Sequence, residues 1–203
     1  NSYSFNNKEQ KLIISTAYLT LANIYEEINM IDSSLFYLNQ RSLIAKDRSS
    51  RMKASYLIAE KAYKEKKYKI ALENFKKTAN FHPSIKINKY SNLMVIRIYR
   101  ELEMWNEASL MIELLINDEK FESIKPELLL ELANLNLYKN KLNESIEVFQ
   151  QITENYPKTI ASAEAYFKIA NFSLDVEKNY SKAKKLYDNV ELDYPESIFV
   201  STS

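Results

Sequence analysis

A step of 37 residues runs through this chain and limits what it can fold into. Small side chains recur on it in two columns: Ala22, Ala59, Ala133 and Ala170, with Ile96 in the third place, and Ser34, Ala71, Ala108 and Ser145, followed one residue late by Ala183. A period of this length marks a solenoid of stacked units, each too small to bury its own apolar face. Glycine is absent from all 203 residues and proline occurs four times. Strands and hairpin turns lean on glycine for positive φ, so its absence argues for helices joined by short connections. The chain reads as all-α and as one structural domain.

Each unit divides into two helices, because apolar residues fall three and four apart on both sides of a short break. In the fourth unit Leu129, Leu132, Ala133 and Leu135 mark one helix and Leu142, Ile146, Phe149 and Ile152 the other, with Asn140 and Lys141 between them. So short a connection forces the pair antiparallel. The small columns then have a steric cause: where two helices cross closely, a side chain larger than a methyl group holds the backbones apart. Ile96 breaks this rule, and the spacing predicts that the third pair opens or shifts there, with Trp105 filling the space.

The pattern resembles the tetratricopeptide repeat over nearly the whole chain. The second unit carries it in Tyr68, Ala71, Phe75 and Pro83, the fourth in Leu142, Ser145, Phe149 and Pro157, and the fifth in Tyr180, Ala183, Tyr187 and Pro195. First-helix matches are Tyr18, Leu21, Ala22 and Tyr25, and then Tyr166, Ile169 and Ala170. The resemblance implies a right-handed superhelix of about five antiparallel helical hairpins, with units near 15–48, 52–85, 89–122, 126–159 and 163–197. The step departs from the family's roughly 34 residues. The two columns stay 12 apart within a unit, so the excess lies between units, after the proline.

Pro83-Ser84, Pro157-Lys158-Thr159 and Pro195-Glu196-Ser197 each place a hydroxyl where it can cap the next helix behind a helix-ending proline. The run from Tyr156 to Tyr166 resembles the long-unit subtype of bacterial envelope proteins, including outer-membrane assembly lipoproteins and the repeat protein of the Tol-Pal system. That resemblance implies an exported scaffold at the periplasm or outer membrane, with a cytoplasmic location as the alternative. The chain has no initiator methionine, and residues 194–198 restart the pattern of residues 156–160. It therefore reads as a piece of a longer protein. No apolar run approaches a membrane span, so contact with a membrane would come only through a segment outside this sequence.

Little in the sequence suggests catalysis. Cysteine is absent, which excludes disulfides and thiolate metal sites. The single histidine, His82, lies in an inter-unit loop without a second ligand, and phosphate-cradling glycine loops are excluded. Glu26 and Glu27 are adjacent, but successive helix positions diverge by about 100° and cannot share a proton well. No enzyme activity, cofactor or metal is expected. The seam aromatics Tyr18, Phe75, Phe149, Tyr166 and Tyr187, with Trp105, read as packing residues.

The resemblance places the first helices on a concave face, which makes Asn23, Lys53, Tyr56, Glu60, Tyr63, Tyr90, Arg97, Arg100, Asn134, Tyr138 and Asn171 the candidate partner-binding residues. Glu26 and Phe167 belong to the same register set. Asn23, Asn134 and Asn171 share one register site, where an amide can bond the backbone of an extended peptide or simply be solvated. The family's carboxylate clamp would need a lysine where Leu19 stands, so a clamp of that kind is not expected. Residues 41–100 hold 16 Lys and Arg against 4 Asp and Glu, whereas residues 101–203 hold 10 against 19, within a net charge of +1. Charge segregated in this way can steer a partner of opposite sign. The expected function is a protein–protein interaction scaffold for a peptide or partner subunit, an acidic one being a natural fit. The alternative is a polyanion-binding module using segment 41–100, although lysine-rich turns without interleaved exposed aromatics are a weak nucleic-acid signal.

Overall fold

A computed structural model describes residues 7–45, 48–80 and 86–194. Among them are ten α-helices, one 3-10 helix and no strand. The chain forms two compact units, Asn1–Leu102 and Glu103–Ser203. The first holds α1 (Asn7–Glu27), α2 (Ile31–Ile44), α3 (Arg48–Lys64), α4 (Tyr68–Ala79) and α5 (Lys86–Glu101). The second holds α6 (Trp105–Ile116), the 3-10 helix (Glu119–Ile124), α7 (Lys125–Tyr138), α8 (Leu142–Asn155), α9 (Ile160–Asp175) and α10 (Tyr180–Asp193). No helix among the described residues is long and apolar enough to cross a membrane.

Both columns lie at the centre of the packing. All ten of their residues are buried, none more than 2% exposed. In the fourth hairpin Ser145 Oγ donates to the Ala133 carbonyl at 2.8 Å, so a second-column side chain touches the first-column backbone directly. Serine serves there because it is small and because its hydroxyl finds a carbonyl at the crossing. In the first unit Ala22 packs with Leu35, Leu38 and Ile58. In the second, Ala133 packs with Leu129, Phe149, Ile152, Ala165 and Ile169. Phe75 and Phe149 are fully buried, whereas Tyr18, Tyr166 and Tyr187 are half-buried. Trp105 stacks on Tyr138 of α7, with ring centroids 5.5 Å apart.

The hairpin turns do not avoid positive φ. Asn29, Lys66, Glu103 and Asn140, at the repeat step, and Lys178, one residue late, all adopt the left-handed conformation, with φ between 53° and 59°. Around three of them the hydrogen bonds are those of a Schellman turn: Met30 N to Tyr25 O at 2.7 Å, Lys67 N to Ala62 O and Lys141 N to Asn136 O, both at 2.8 Å. The missing glycine goes with helices joined by short connections, as expected, yet it does not keep those connections out of the left-handed region. A left-handed residue costs about 1–2 kcal/mol when it carries a Cβ, and the burial of a hairpin seam outweighs that cost.

Each second helix begins immediately after its turn. Met30, Lys67, Met104 and Lys141 precede their helices without a side-chain cap, while Asn179 caps α10 by accepting from Lys182 N at 3.0 Å. The first helices run 14–21 residues and the second helices 12–14. Before α9, Lys158 turns with φ of 64° and the Thr159 hydroxyl accepts from Ser162 N at 3.1 Å. Before α7 the chain departs from this junction: Asp118 caps the 3-10 helix, and Pro126 stands in the first turn of α7. His82, Pro83-Ser84 and Pro195-Glu196-Ser197 lie outside the described residues.

Two outcomes test this account. Glu103→Gly, at an exposed left-handed position, should raise stability by about 1 kcal/mol, read as a higher urea midpoint at unchanged slope. Ala59→Leu should lower stability by about 1–3 kcal/mol through overpacking at the crossing; a thermal midpoint equal to wild type would contradict close helix approach at that site.

Candidate interaction surface

Two neighbouring first helices of the first unit, α3 and α5, gather most of the candidate residues. Tyr56, Glu60 and Tyr63 stand four and three residues apart on α3, hence on one face. The Tyr56 hydroxyl donates to Glu60 Oε1 at 2.7 Å. Tyr90 of α5 meets Tyr56 edge to face, with centroids 5.9 Å apart, and both rings lean on the buried Phe75 of α4 at 6.1 and 6.3 Å. Edge-to-face contact at these distances is the favoured geometry for aromatic rings.

The charges around these rings are interleaved. Burial, and then the bond to the Glu60 carboxylate, holds the Tyr56 phenol well above the ordinary tyrosine range. Tyr90 is raised by burial and by Glu60, with Arg97 pulling the other way. Burial also raises Tyr63, as does Glu101, against the opposing pull of Arg97 and Arg100. Arg97 therefore acts on both Tyr63 and Tyr90. Arg100 Nη2 lies 3.6 Å from Glu101 Oε1. Glu101 is the residue that the sequence reasoning did not name. Its register mates are Glu27, Lys64, Tyr138 and Asp175, so a carboxylate recurs at three of the five positions and the register held a partial signal for it.

A polar seam sets how α5 lies on α4. Thr78 Oγ1 is 2.6 Å from Ser91 Oγ and 2.9 Å from the Phe75 carbonyl oxygen, and Asn88 donates to the Ala79 carbonyl. Asn92 donates to the Asn88 carbonyl at 2.9 Å. Thr78, Asn88, Ser91 and Asn92 are buried, so a shift of α5 along α4 would unpair Thr78 from Ser91 and Asn88 from the Ala79 carbonyl. The seam thereby places Tyr90 against Tyr56.

The remaining candidates are distributed differently. Asn23 and Lys53 are exposed on α1 and α3, and Glu26 forms an ion pair with Lys61. In the second unit Tyr138 is 56% exposed and stacked on Trp105, whereas Asn134 is only 9% exposed. The Tyr187 hydroxyl donates to Asn171 Oδ1, and the Tyr187 ring meets Phe167 at 5.8 Å. The three asparagines of one register site thus have three environments. Several basic residues of segment 41–100 are held internally: Lys61 by Glu26, Lys67 by Asp32, Lys77 by Glu73 at 2.7 Å, and Lys76 over the Tyr99 ring at 5.1 Å. Among the described residues no cluster of His, Asp or Glu could hold a metal ion.

Residues 127–159 and 164–197 match the tetratricopeptide repeat family model. No curated protein matches the chain in sequence. The fold is that of tetratricopeptide solenoids. YrrB, a tetratricopeptide protein described as having an unusual peptide-binding site, is 18% identical, with 90% of this chain and 87% of that one covered at a TM-score of 0.52. A Podosopora anserina putative kinesin light chain with nearly identical repeats is 15% identical, with 90% and 97% covered at 0.59. The Rap conjugation gene regulator of plasmid pLS20, in complex with the Phr* peptide, is 9% identical, with 97% and 58% covered at 0.65.

The raised phenol of Tyr56 has a consequence at high pH. The folded state keeps a proton that the unfolded chain releases above about pH 10, so stability is fully present below that pH and falls as pH rises through it. Tyr56→Phe removes this contribution, and its urea midpoint should decline less steeply above pH 10 than that of wild type. Equal slopes would show that Tyr56 titrates normally.

Proposed function

We propose that this chain is a non-catalytic interaction scaffold and that the α3–α5 face seats a peptide or a segment of a partner protein. One observation carries the reading: Tyr56, Glu60, Tyr63, Tyr90 and Arg97, from two successive repeats, converge on a partly exposed surface whose register is set by buried hydrogen bonds. Partly exposed aromatic rings offer contact area at small entropic cost, and an arginine beside them offers forked donors to a carboxylate or a backbone carbonyl. Fold neighbours described with a peptide-binding site or a bound peptide support the same use. An acidic ligand follows from the excess of Lys and Arg in residues 41–100. Lys53, Arg100, Asn23, Asn134, Tyr138 and Asn171 extend the proposed surface.

The reading extends to a bacterial envelope assembly on the resemblance of residues 156–166 alone. Polyanion binding is the second reading and rests on the same basic excess. It is weakened by the lysines already engaged within the fold.

Selection of a random displayed-peptide library on the whole chain tests the scaffold. Enriched peptides should bind a Tyr90→Ala, Arg97→Ala double variant at least about tenfold more weakly, with unchanged circular dichroism. Equal binding would remove the α3–α5 face from the proposal. Generic single-stranded DNA that binds at low salt and is lost steeply by physiological salt would favour the polyanion reading instead.

A further inference from the structure

Leu110 and Leu114 stand one turn apart on α6, 59% and 63% exposed, and so form an apolar pair on one side of the helix. The opposite side carries Ala108, Ile112 and Ile116. The first two of these are buried, and Ile116 packs against the cluster around Ala133. The leucine pair is therefore no part of the seam.

The ends of the chain do not account for its exposure. At steps of 37 the mates of Leu110 are Phe36, Glu73 and Glu147, and those of Leu114 include Lys77 and Gln151; all five are exposed. Within their own units α4 lies between α3 and α5, and α8 between α7 and α9, yet the outer sides of both are open. Further hairpins at either end would leave the α6 pair uncovered. No other repeat places two large apolar residues at these sites.

Charge around the pair selects the occupant. Glu107 and Glu113 are exposed beside the leucines, and α6 holds no lysine or arginine. The fold does not demand these carboxylates, since Lys76 and Gln150 stand at the mates of Glu113 and Ile70 at that of Glu107. Apolar residues rimmed by carboxylates complement apolar residues rimmed by Lys or Arg. A second copy about a two-fold axis would instead set like charges together, and an anionic lipid surface would be repelled. The backbone of α6 is bonded within the helix, so an extended peptide would gain no ladder of hydrogen bonds there. A helical partner arrives with its own backbone satisfied.

We propose that the outer side of α6 is a docking surface for a basic amphipathic helix of a partner protein. Apolar side chains of that helix pack over Leu110 and Leu114, and its Lys or Arg residues meet Glu107 and Glu113. The surface belongs to the second unit and does not depend on the function proposed for the α3–α5 face.

A labelled peptide of about 20 residues, with leucine three and four apart and lysine on both sides of that stripe, is titrated with the full chain and read by fluorescence anisotropy. It should bind at least about tenfold more tightly than a scrambled peptide of the same composition, and than one carrying glutamate in place of lysine. Leu110→Gln with Leu114→Gln should abolish the preference for the striped order. Glu107→Lys with Glu113→Lys should reverse the choice between the lysine and glutamate peptides. Circular dichroism and thermal midpoints establish that each variant folds, and either double variant decides the matter without the other. A striped peptide bound no better than its scrambled form overturns the proposal, as does a preference that neither variant alters. Wild type that dimerises in sedimentation velocity, and stops doing so with Leu110→Gln and Leu114→Gln, gives the surface to a second copy instead. Binding to phosphatidylglycerol vesicles that is lost in the same variant gives it to lipid, and overturns the proposal equally.

Discussion

Close approach of two helices at a methyl-sized contact is the interaction on which the rest of this structure depends. Helices can pack with axes about 8–10 Å apart only if the side chains between them are small. The chain meets that condition in its columns, and Ser145 against the Ala133 carbonyl shows how near the backbones come. Once a hairpin closes in this way, its larger apolar residues point outward to the neighbouring hairpins. Phe149 and Ile152 reach Ala161, Ala165 and Ile169 by this route. Stacking follows from the crossing.

A closed hairpin also dictates its turn. The chain must reverse within about three residues, and the Schellman geometry does so by placing one residue in the left-handed region. Asn29 and Asn140 suit that region, whereas Lys66, Glu103 and Lys178 occupy it at a cost of about 1 kcal/mol or more each. Tertiary burial carries that local strain, since one fully buried phenylalanine or leucine contributes about 1.5–3 kcal/mol.

Between hairpins the interactions are more varied, and the candidate surface owes its form to them. The α4–α5 contact includes buried hydroxyls and an amide that bond across it in one register. An apolar seam tolerates small slips, whereas a hydrogen-bonded one does not. Tyr90 is thereby held against Tyr56, and Glu60 and Arg97 act on the same ring. Ion pairs of Glu26 with Lys61 and of Asp32 with Lys67 join the first hairpin to the second. Basic residues that look surplus in the sequence are partly structural.

By itself, the sequence determined the all-α class, the hairpin repeat and the burial of both columns, because a steric requirement that recurs along the chain leaves a periodic trace. The same trace located α3 and α5 as helices carrying Tyr56, Glu60, Tyr63, Tyr90 and Arg97 on one side. Only the tertiary structure decided which of these side chains meet, since contact between helices depends on register and rotation that no spacing within one helix encodes. It buried Asn134, tied Asn171 to Tyr187 and left Asn23 open, although the three share one register site. It set Glu101, which shares an acidic register site with Glu27 and Asp175, close enough to act on Tyr63. The left-handed turns at Lys66 and Lys178 were also decided there, because their conformation is imposed by the closed hairpin rather than by any preference of lysine.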